Sequence, residues 1–349
     1  MYGVKTGFNQ AFLIDSATRQ RLVAEHAPAE EIIRHYLRGQ DVARWQSANP
    51  DLWMIFARRG INIDAYPSVK RHLESYHARL QPRPDDWKPS RPGEKWTGRK
   101  KGTYAWYELQ DAVDYWREFS KPKIIYKVIQ FYASYAFDGE GRLGNDKTFI
   151  IPTEDLSLLA ILNSPLMWWF NWRHLTHLKD EALSPMGYKM ERLPIAQFAP
   201  AGQEAAGQLV RQIIAETNAA RRATTSITDW LRHTFALTKP SRTLRDFDRL
   251  TADAFVTRVR SALPRQRRLT AAEIAELKRE YAVTIEPAKA IRRMIFDLEQ
   301  RVSELVNSAY RLTPSEITLL WQTAPPRMPF TPYGLVIEED APDEPEDDE

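Results

Sequence analysis

The 349-residue sequence predicts an α+β fold: a mixed α/β domain, then an all-helical domain, then a disordered acidic tail. Three observations lead there. Up to about residue 200, β-branched and aromatic runs alternate with amphipathic stretches and with glycine- or proline-rich turns. From 203 to 323 the apolar residues recur almost throughout with a helical period. From 336 onward the chain turns acidic and proline-bearing, a composition that cannot bury a core. The expected divisions are therefore 1–200, 201–335 and 336–349.

GVKTGFNQAFLID, residues 3–15, reads as a glycine-punctuated strand. Gly3 and Gly7 bracket Lys5-Thr6 in a tight loop with free backbone N–H groups. Such a loop suits either a phosphate contact or a plain turn. It is not a P-loop, because the G-x-x-x-x-G-K-[ST] spacing is missing. PAEEIIRHYLR (28–38) predicts a short helix stopped by Gly39. Trp53, Ile55 and Phe56 indicate a strand. SVKRHLESYHARL (68–80), after Pro67, predicts a helix with Val69, Leu73, Tyr76 and Leu80 on one face.

Residues 81–102 carry four prolines and read as a long loop. Seven basic residues stand there against three acidic ones, with Trp87 and Trp96 interleaved. That pattern fits a loop that follows nucleic acid, and equally a solvated loop pinned by its tryptophans.

The stretch 103–137 frames the first domain. Trp106, Leu109, Val113 and Trp116 recur at spacings of three and four, which predicts a helix ended by Lys121-Pro122. Lys123 to Tyr135 is dense in Ile, Val, Tyr and Phe and predicts a strand covered on both faces. Asp138-Gly139 signals a hairpin, and KTFIIP returns as a strand. DLSLLAILNS and PLMWWFNWRHL predict two apolar helices, with Trp168, Trp169 and Trp172 in the core.

In the second part, EAAGQLVRQIIAETNAARRA and SITDWLRHTF predict two successive helices. Thr270 and Glu273 form a capping box. The longest helix is expected from near Pro287 to Leu312. Its seam, Ile291, Ile295, Leu298, Val302, Leu305 and Ala309, has heptad spacing suited to packing along another helix, in this chain or in another. Thr313-Pro314-Ser315-Glu316 starts one more helix.

Composition narrows the chemistry. With no cysteine, a disulfide scaffold, a thiol nucleophile and cysteine-ligated zinc are excluded. No apolar run approaches the ~20 residues that span a bilayer. The opening MYGVKTGF is not a charged-then-apolar leader, so a cytoplasmic protein without membrane contact is expected. The net charge of +3 hides a division: residues 336–349 hold nine acids and no base, which leaves the rest at +12. A basic body suggests an anionic partner, commonly nucleic acid.

No catalytic signature appears. There is no G-x-S-x-G, no HExxH and no phosphate loop, and acidic residues are scattered. NPDLW (49–53) starts like an amino-methyltransferase motif but lacks the second proline and the following aromatic. Gly139-x-Gly141 is too little for a cofactor loop. His72 and His77 are five apart, off a common helical face, so no metal site is expected. A binding role is favoured.

Read in order, GVKTGFNQAFLID, IIRHYLRGQDVARW, WMIFARRGINIDAYPSVKRHLESYHARL, YAWYELQDAVDYWREFSKPKIIY, the FDGEG turn, ILNSPLMWW and ERLPI resemble one family. It is the TaqI-like C-terminal specificity domain, the target-recognition module of adenine-specific DNA methyltransferases and fused restriction–modification enzymes. The resemblance covers roughly residues 3–198. SITDWLRHTF and AYRLTPSEITLL resemble the helical segment that often follows it.

The resemblance implies recognition of a specific double-stranded DNA sequence. In such enzymes a catalytic domain binds S-adenosylmethionine, flips out an adenine and methylates its amino group, while the specificity module clamps and reads the duplex. The catalytic domain, with its cofactor loop and Asn/Asp-Pro-Pro-aromatic motif, is not in this sequence. No cofactor is therefore expected in this chain, which alone is not expected to methylate. S-adenosylmethionine would belong to a missing catalytic domain or to a methyltransferase subunit acting in trans, for which the 291–309 seam offers a docking face unless it packs within this chain's own helices. By charge and loop position, the expected phosphate contacts are Lys5, Thr6, Arg99, Lys100, Lys101, Lys121, Lys123, Lys127 and Arg142. The alternative expectation is a helical protein-interaction subunit without base readout.

Overall fold

The computed structural model describes residues 1–237, 247, 250–264 and 266–332. The acidic tail expected at 336–349 lies outside the described residues. The architecture is the expected one, mixed sheets with helices followed by a helical region.

In chain order the strands are β1 (Leu13–Ile14), β2 (Ile33–Leu37), β3 (Trp45–Gln46), β4 (Trp53–Ile55) and β5 (Lys123–Lys127), then β6 (Tyr135–Asp138), β7 (Leu143–Gly144), β8 (Thr148–Pro152), β9 (Thr176–His177) and β10 (Leu183–Ser184). One sheet runs β1-β4-β2-β7, the second β3-β6-β5-β8, and β9 and β10 form a ribbon. Alternation along β5 explains its double-sided apolar character. Ile125, with Ala136 and Ile150, faces a core built with the first sheet. Ile124 and Tyr126, with Tyr135 and Phe149, face a second core shared with helices.

That second core crosses residue 200. It takes Leu159 to Leu162 from the helix Leu156–Leu162, Leu209, Val210 and Ile213 from Pro200–Phe235, and Leu298, Val302 and Val306 from Glu286–Ala309. Polar clamps hold the same junction. Glu299, buried, accepts from Trp45 Nε1 at 2.5 Å and pairs with Arg44. Arg221 donates to the carbonyls of Gln46 and Ser47. A third, all-helical core lies farther out, around Leu231, Phe235, Phe255, Leu277 and Ile285.

Several expected elements differ, each because tertiary hydrogen bonds override local period. Residues 103–115 are not helical. Leu109 N donates to Ala57 O, Gln110 N to Thr6 O and Asp111 N to Lys5 O, so the segment is pinned to two neighbours. Only Trp116–Ser120 turns, as a short 3₁₀ helix. The strand expected over 123–135 is two strands, β5 and β6, paired antiparallel with Tyr126 opposite Tyr135. The helix expected over 28–38 is a 3₁₀ turn, Ala27–Ile32, followed by β2, whose β-branched and aromatic residues pair with β4 and β7. The strand expected over 3–15 is bridge contacts at Tyr2 and Val4, a helical turn Asn9–Phe12 and β1. Asp138-Gly139 does not join paired strands, since β6 pairs with β3 and β5 while β7 pairs with β2.

Other expectations hold. The helix after Pro67 forms as Pro67–Glu74 and His77–Leu80, with Val69, Leu73 and Leu80 fully buried. Trp168 is buried in a fourth core, with Trp169 and Trp172 against it. Both capping boxes, at Thr270 and Thr313, are present. The longest helix, however, is Pro200–Phe235, which fuses two expected helices. The 286–309 seam lies along it, inside this chain. Of the two partners the seam could have, one in this chain or one in another, the one in this chain is formed. A π-turn at Tyr281–Ile285 precedes Pro287, which lacks the N–H for a regular bond at that position.

Candidate nucleic-acid interface

Arg99 organises the surface around the basic loop. It is 3% exposed, and its guanidinium donates to five carbonyls. These are Leu80 (2.8 Å), Thr6 (3.1 Å), Glu108 (2.6 Å), Ala105 (3.1 Å) and Trp106 (2.9 Å). The carbonyls of 106 and 108, which a helix would have bonded internally, thus find their donor in Arg99, while that of 105 also accepts from Glu108 N. Burial lowers the Arg99 pKa to about 10, partly offset by Tyr104 and Glu108, so the group stays charged at neutral pH. Its backbone closes the loop: Arg99 N donates to Gln81 O and Arg83 N to Arg99 O. Arg99 is therefore a fastener of the loop and not a phosphate contact, which corrects its sequence assignment.

Three other assigned side chains are also interior. Thr6 Oγ1 donates to Asn9 Oδ1 at 2.7 Å and accepts from Phe8 N. Lys123 Nζ meets Asp138 Oδ2 at 2.5 Å and donates to Phe119 O. Burial lowers the Lys123 pKa, and Asp138 works against that shift. Arg142 pairs with Glu140, and its N–H donates to Asp138. A buried charge is tolerated when it is paired, so these groups are committed inside the fold.

The remaining five reach solvent. Lys100, Lys101 and Lys121 are exposed, while Lys5 and Lys127 are half-buried. Lys5 lies 3.6 Å from Asp146, Lys101 3.0 Å from Asp85 and Lys121 2.7 Å from Glu118. Exposed pairs of this kind contribute little and leave the cation available to a stronger anion. In the loop, Arg83, Lys88, Arg91 and Lys95 are exposed as well. Trp87 and Trp96 pack edge to face at 5.8 Å, and Trp96 Nε1 donates to Gln81 O.

Two of the assigned regions meet. Lys5 and Gly7 from the first loop, and Thr97 to Lys100 from the basic loop, line one open cleft of about 200 Å³. Phe8, Arg79 and Gln110 complete it. Gly7 has φ +80°, a left-handed conformation that favours glycine, and a Cβ there would stand 3.0 Å from Arg99 Cδ and from Gln110 Cβ. Arg79 lies over the Phe8 ring at 5.0 Å. Sequence spacing did not single out Arg79 or Gln110, because their convergence depends on contacts between distant segments. Lys121, Lys123 and Arg142 gather elsewhere, around Asp138 and the start of β5, while Lys127 ends that strand opposite Thr148.

Among the described residues no group of three His, Asp or Glu could hold a metal ion. His72 Nε2 bonds to Ala11 O instead. The turns that lead from β1 and from β8 into the helices Ser16–Glu25 and Leu156–Leu162, at Asp15 and at 153–155, contain no glycine. They do not fit the glycine-rich turn that cradles a nucleoside cofactor, so no step through S-adenosylmethionine is assigned to this chain. No described helix is long and apolar enough to cross a membrane.

Against this geometry, residues 34–195 match the TaqI-like C-terminal specificity domain. Residues 200–306 match a domain of unknown function. No curated protein matches the chain. Among solved structures, it is similar to the Type IIL restriction–modification enzyme MmeI in complex with DNA, with 14% identity and a TM-score of 0.46. That similarity covers 93% of this chain and 34% of the MmeI chain, so the chain spans about a third of that enzyme's length.

Proposed function

We propose that this chain, whose residues 34–195 match the TaqI-like C-terminal specificity domain, recognises a specific double-stranded DNA sequence. It does so for an adenine-specific methyltransferase or a restriction–modification system. The match of the domain carries the proposal. The basic loop 81–102, fastened by Arg99 and exposing six cations, supplies a surface with the charge that phosphates require. The work of this chain is to clamp and read the duplex. Methyl transfer from S-adenosylmethionine belongs to a catalytic domain outside it, attached or in trans. The phosphate contacts of this reading are Lys5, Lys100, Lys101, Lys121 and Lys127, joined by the exposed loop cations.

The test is binding of the purified chain to a randomised duplex pool at several salt concentrations. The expected result is enrichment of one sequence, with affinity falling steeply as salt rises. Equal binding to all sequences would overturn the proposal. The alternative of a helical interaction subunit loses its candidate face, because the 286–309 seam packs along Pro200–Phe235.

A further inference from the structure

We propose that Gln110 is a base-reading residue of this protein and that it reads adenine. The inference rests on the DNA-recognition reading above and names the residue that would confer sequence preference at one position.

The backbone of Gln110 is held on both sides. Its N–H donates to Thr6 O at 3.2 Å, and its carbonyl accepts from Arg59 Nη2 at 2.8 Å. Its side chain makes no hydrogen bond among the described residues and stands in the open cleft beside Gly7. The held backbone fixes where the unengaged head can reach, and the head remains free to take the rotamer that a base edge requires. Cationic side chains surround it. Lys5, Arg79 and Lys100 line the same cleft, and Arg79 is steadied by the Phe8 ring.

The chemistry then separates the roles. Ammonium and guanidinium groups meet phosphates, which carry charge but no sequence. A neutral carboxamide adds little to a phosphate contact. It offers one acceptor and one donor side by side, matching the N6 amino group and N7 of adenine in the major groove. An unpaired amide framed by cations is the arrangement in which backbone contacts set the register and one side chain reads an edge.

The experiment compares the full chain with Gln110→Ala, Gln110→Glu and Lys100→Ala. Preferred sites are selected from a randomised duplex pool, and affinities are then measured against salt. Gln110→Ala should relax preference at one adenine by roughly 5- to 150-fold, with the salt slope unchanged. Gln110→Glu, close to it in size, should turn that position toward cytosine, whose amino group a carboxylate accepts from. Lys100→Ala should weaken all sequences alike and flatten the salt slope. If both Gln110 variants melt like the parent and keep its site and its discrimination, the inference falls and DNA recognition stands. If the parent chain shows no sequence preference, both fall together.

Discussion

Lys123 and Asp138 stand opposite each other on β5 and β6, with Nζ and Oδ2 2.5 Å apart and side chains 0% and 1% exposed. Asp138 also accepts from the N–H groups of Glu140 and Arg142. One carboxylate thus joins a strand pair to the turn that follows it. Lys123→Met should leave that buried carboxylate with the two N–H groups and Arg142, 3.9 Å away, but without its ammonium, and lower stability by about 3 kcal/mol. Lys121→Met, two residues earlier and exposed, should stay within about 0.5 kcal/mol of the parent. Urea denaturation distinguishes the two, and equal losses would contradict the arrangement.

Arg99→Lys keeps the charge but not the fork. A lysine ammonium has three donors and cannot serve five separate carbonyls. The carbonyls of Thr6 and Ala105 keep backbone donors, but those of Leu80, Trp106 and Glu108 depend on the fork, and one ammonium cannot span all three, so the variant should lose about 2 kcal/mol. Hydrogen exchange should quicken at the backbone N–H groups of Arg83, Arg99 and Gln110, which the same fastening holds. Unchanged exchange at those three would show that the loop is closed by something else.

Lys100→Ala and Lys101→Ala should each weaken DNA binding at every sequence and reduce the salt slope by about 0.9 for each phosphate no longer neutralised. Neither should alter the melting temperature by more than a degree or two, since both side chains are exposed. A sequence-dependent weakening would place them in a base-reading role instead.

His72 links stability to pH. Burial holds its pKa below the ordinary 6.5, against the opposing hydrogen bond to Ala11 O. Above pH 6.5 the ring is neutral in both folded and unfolded chains and costs nothing. As pH falls through 6.5, the unfolded chain takes up a proton that the folded ring resists. Stability drops until the folded pKa is passed and then levels off. His72→Gln should remove this component, so the stability difference between variant and parent should change between pH 7 and pH 5. A difference that is flat with pH would refute it.

The sequence revealed the class of the fold and the helical half well. Capping boxes at Thr270 and Thr313 and the apolar faces of 67–80 and 156–174 are local signals, and they formed as local signals dictate. The stretch 103–116 misled because Leu109 and Val113 are buried at helical spacing without a helix. Their neighbours' carbonyls are bonded by an arginine several residues upstream. The basic residues misled for a related reason. Charge marked Arg99, Lys123 and Arg142, yet the partners that draw them inward are carbonyls and carboxylates met only after folding. Gln110, neutral and in a segment expected to be helical, carried no signal.

The closure at Arg99 also makes residues 83–98 separable from what lies beneath them. Their hydrogen bonds and ion pairs, among the described residues, reach no farther than Gln81 at one end and Lys101 at the other. The framework below is satisfied without them. Such a segment can be rewritten in length and sequence while the body of the domain keeps its stability. The segment is in effect a cassette: exchanging it should change what the protein binds while leaving the folding of the body beneath it undisturbed.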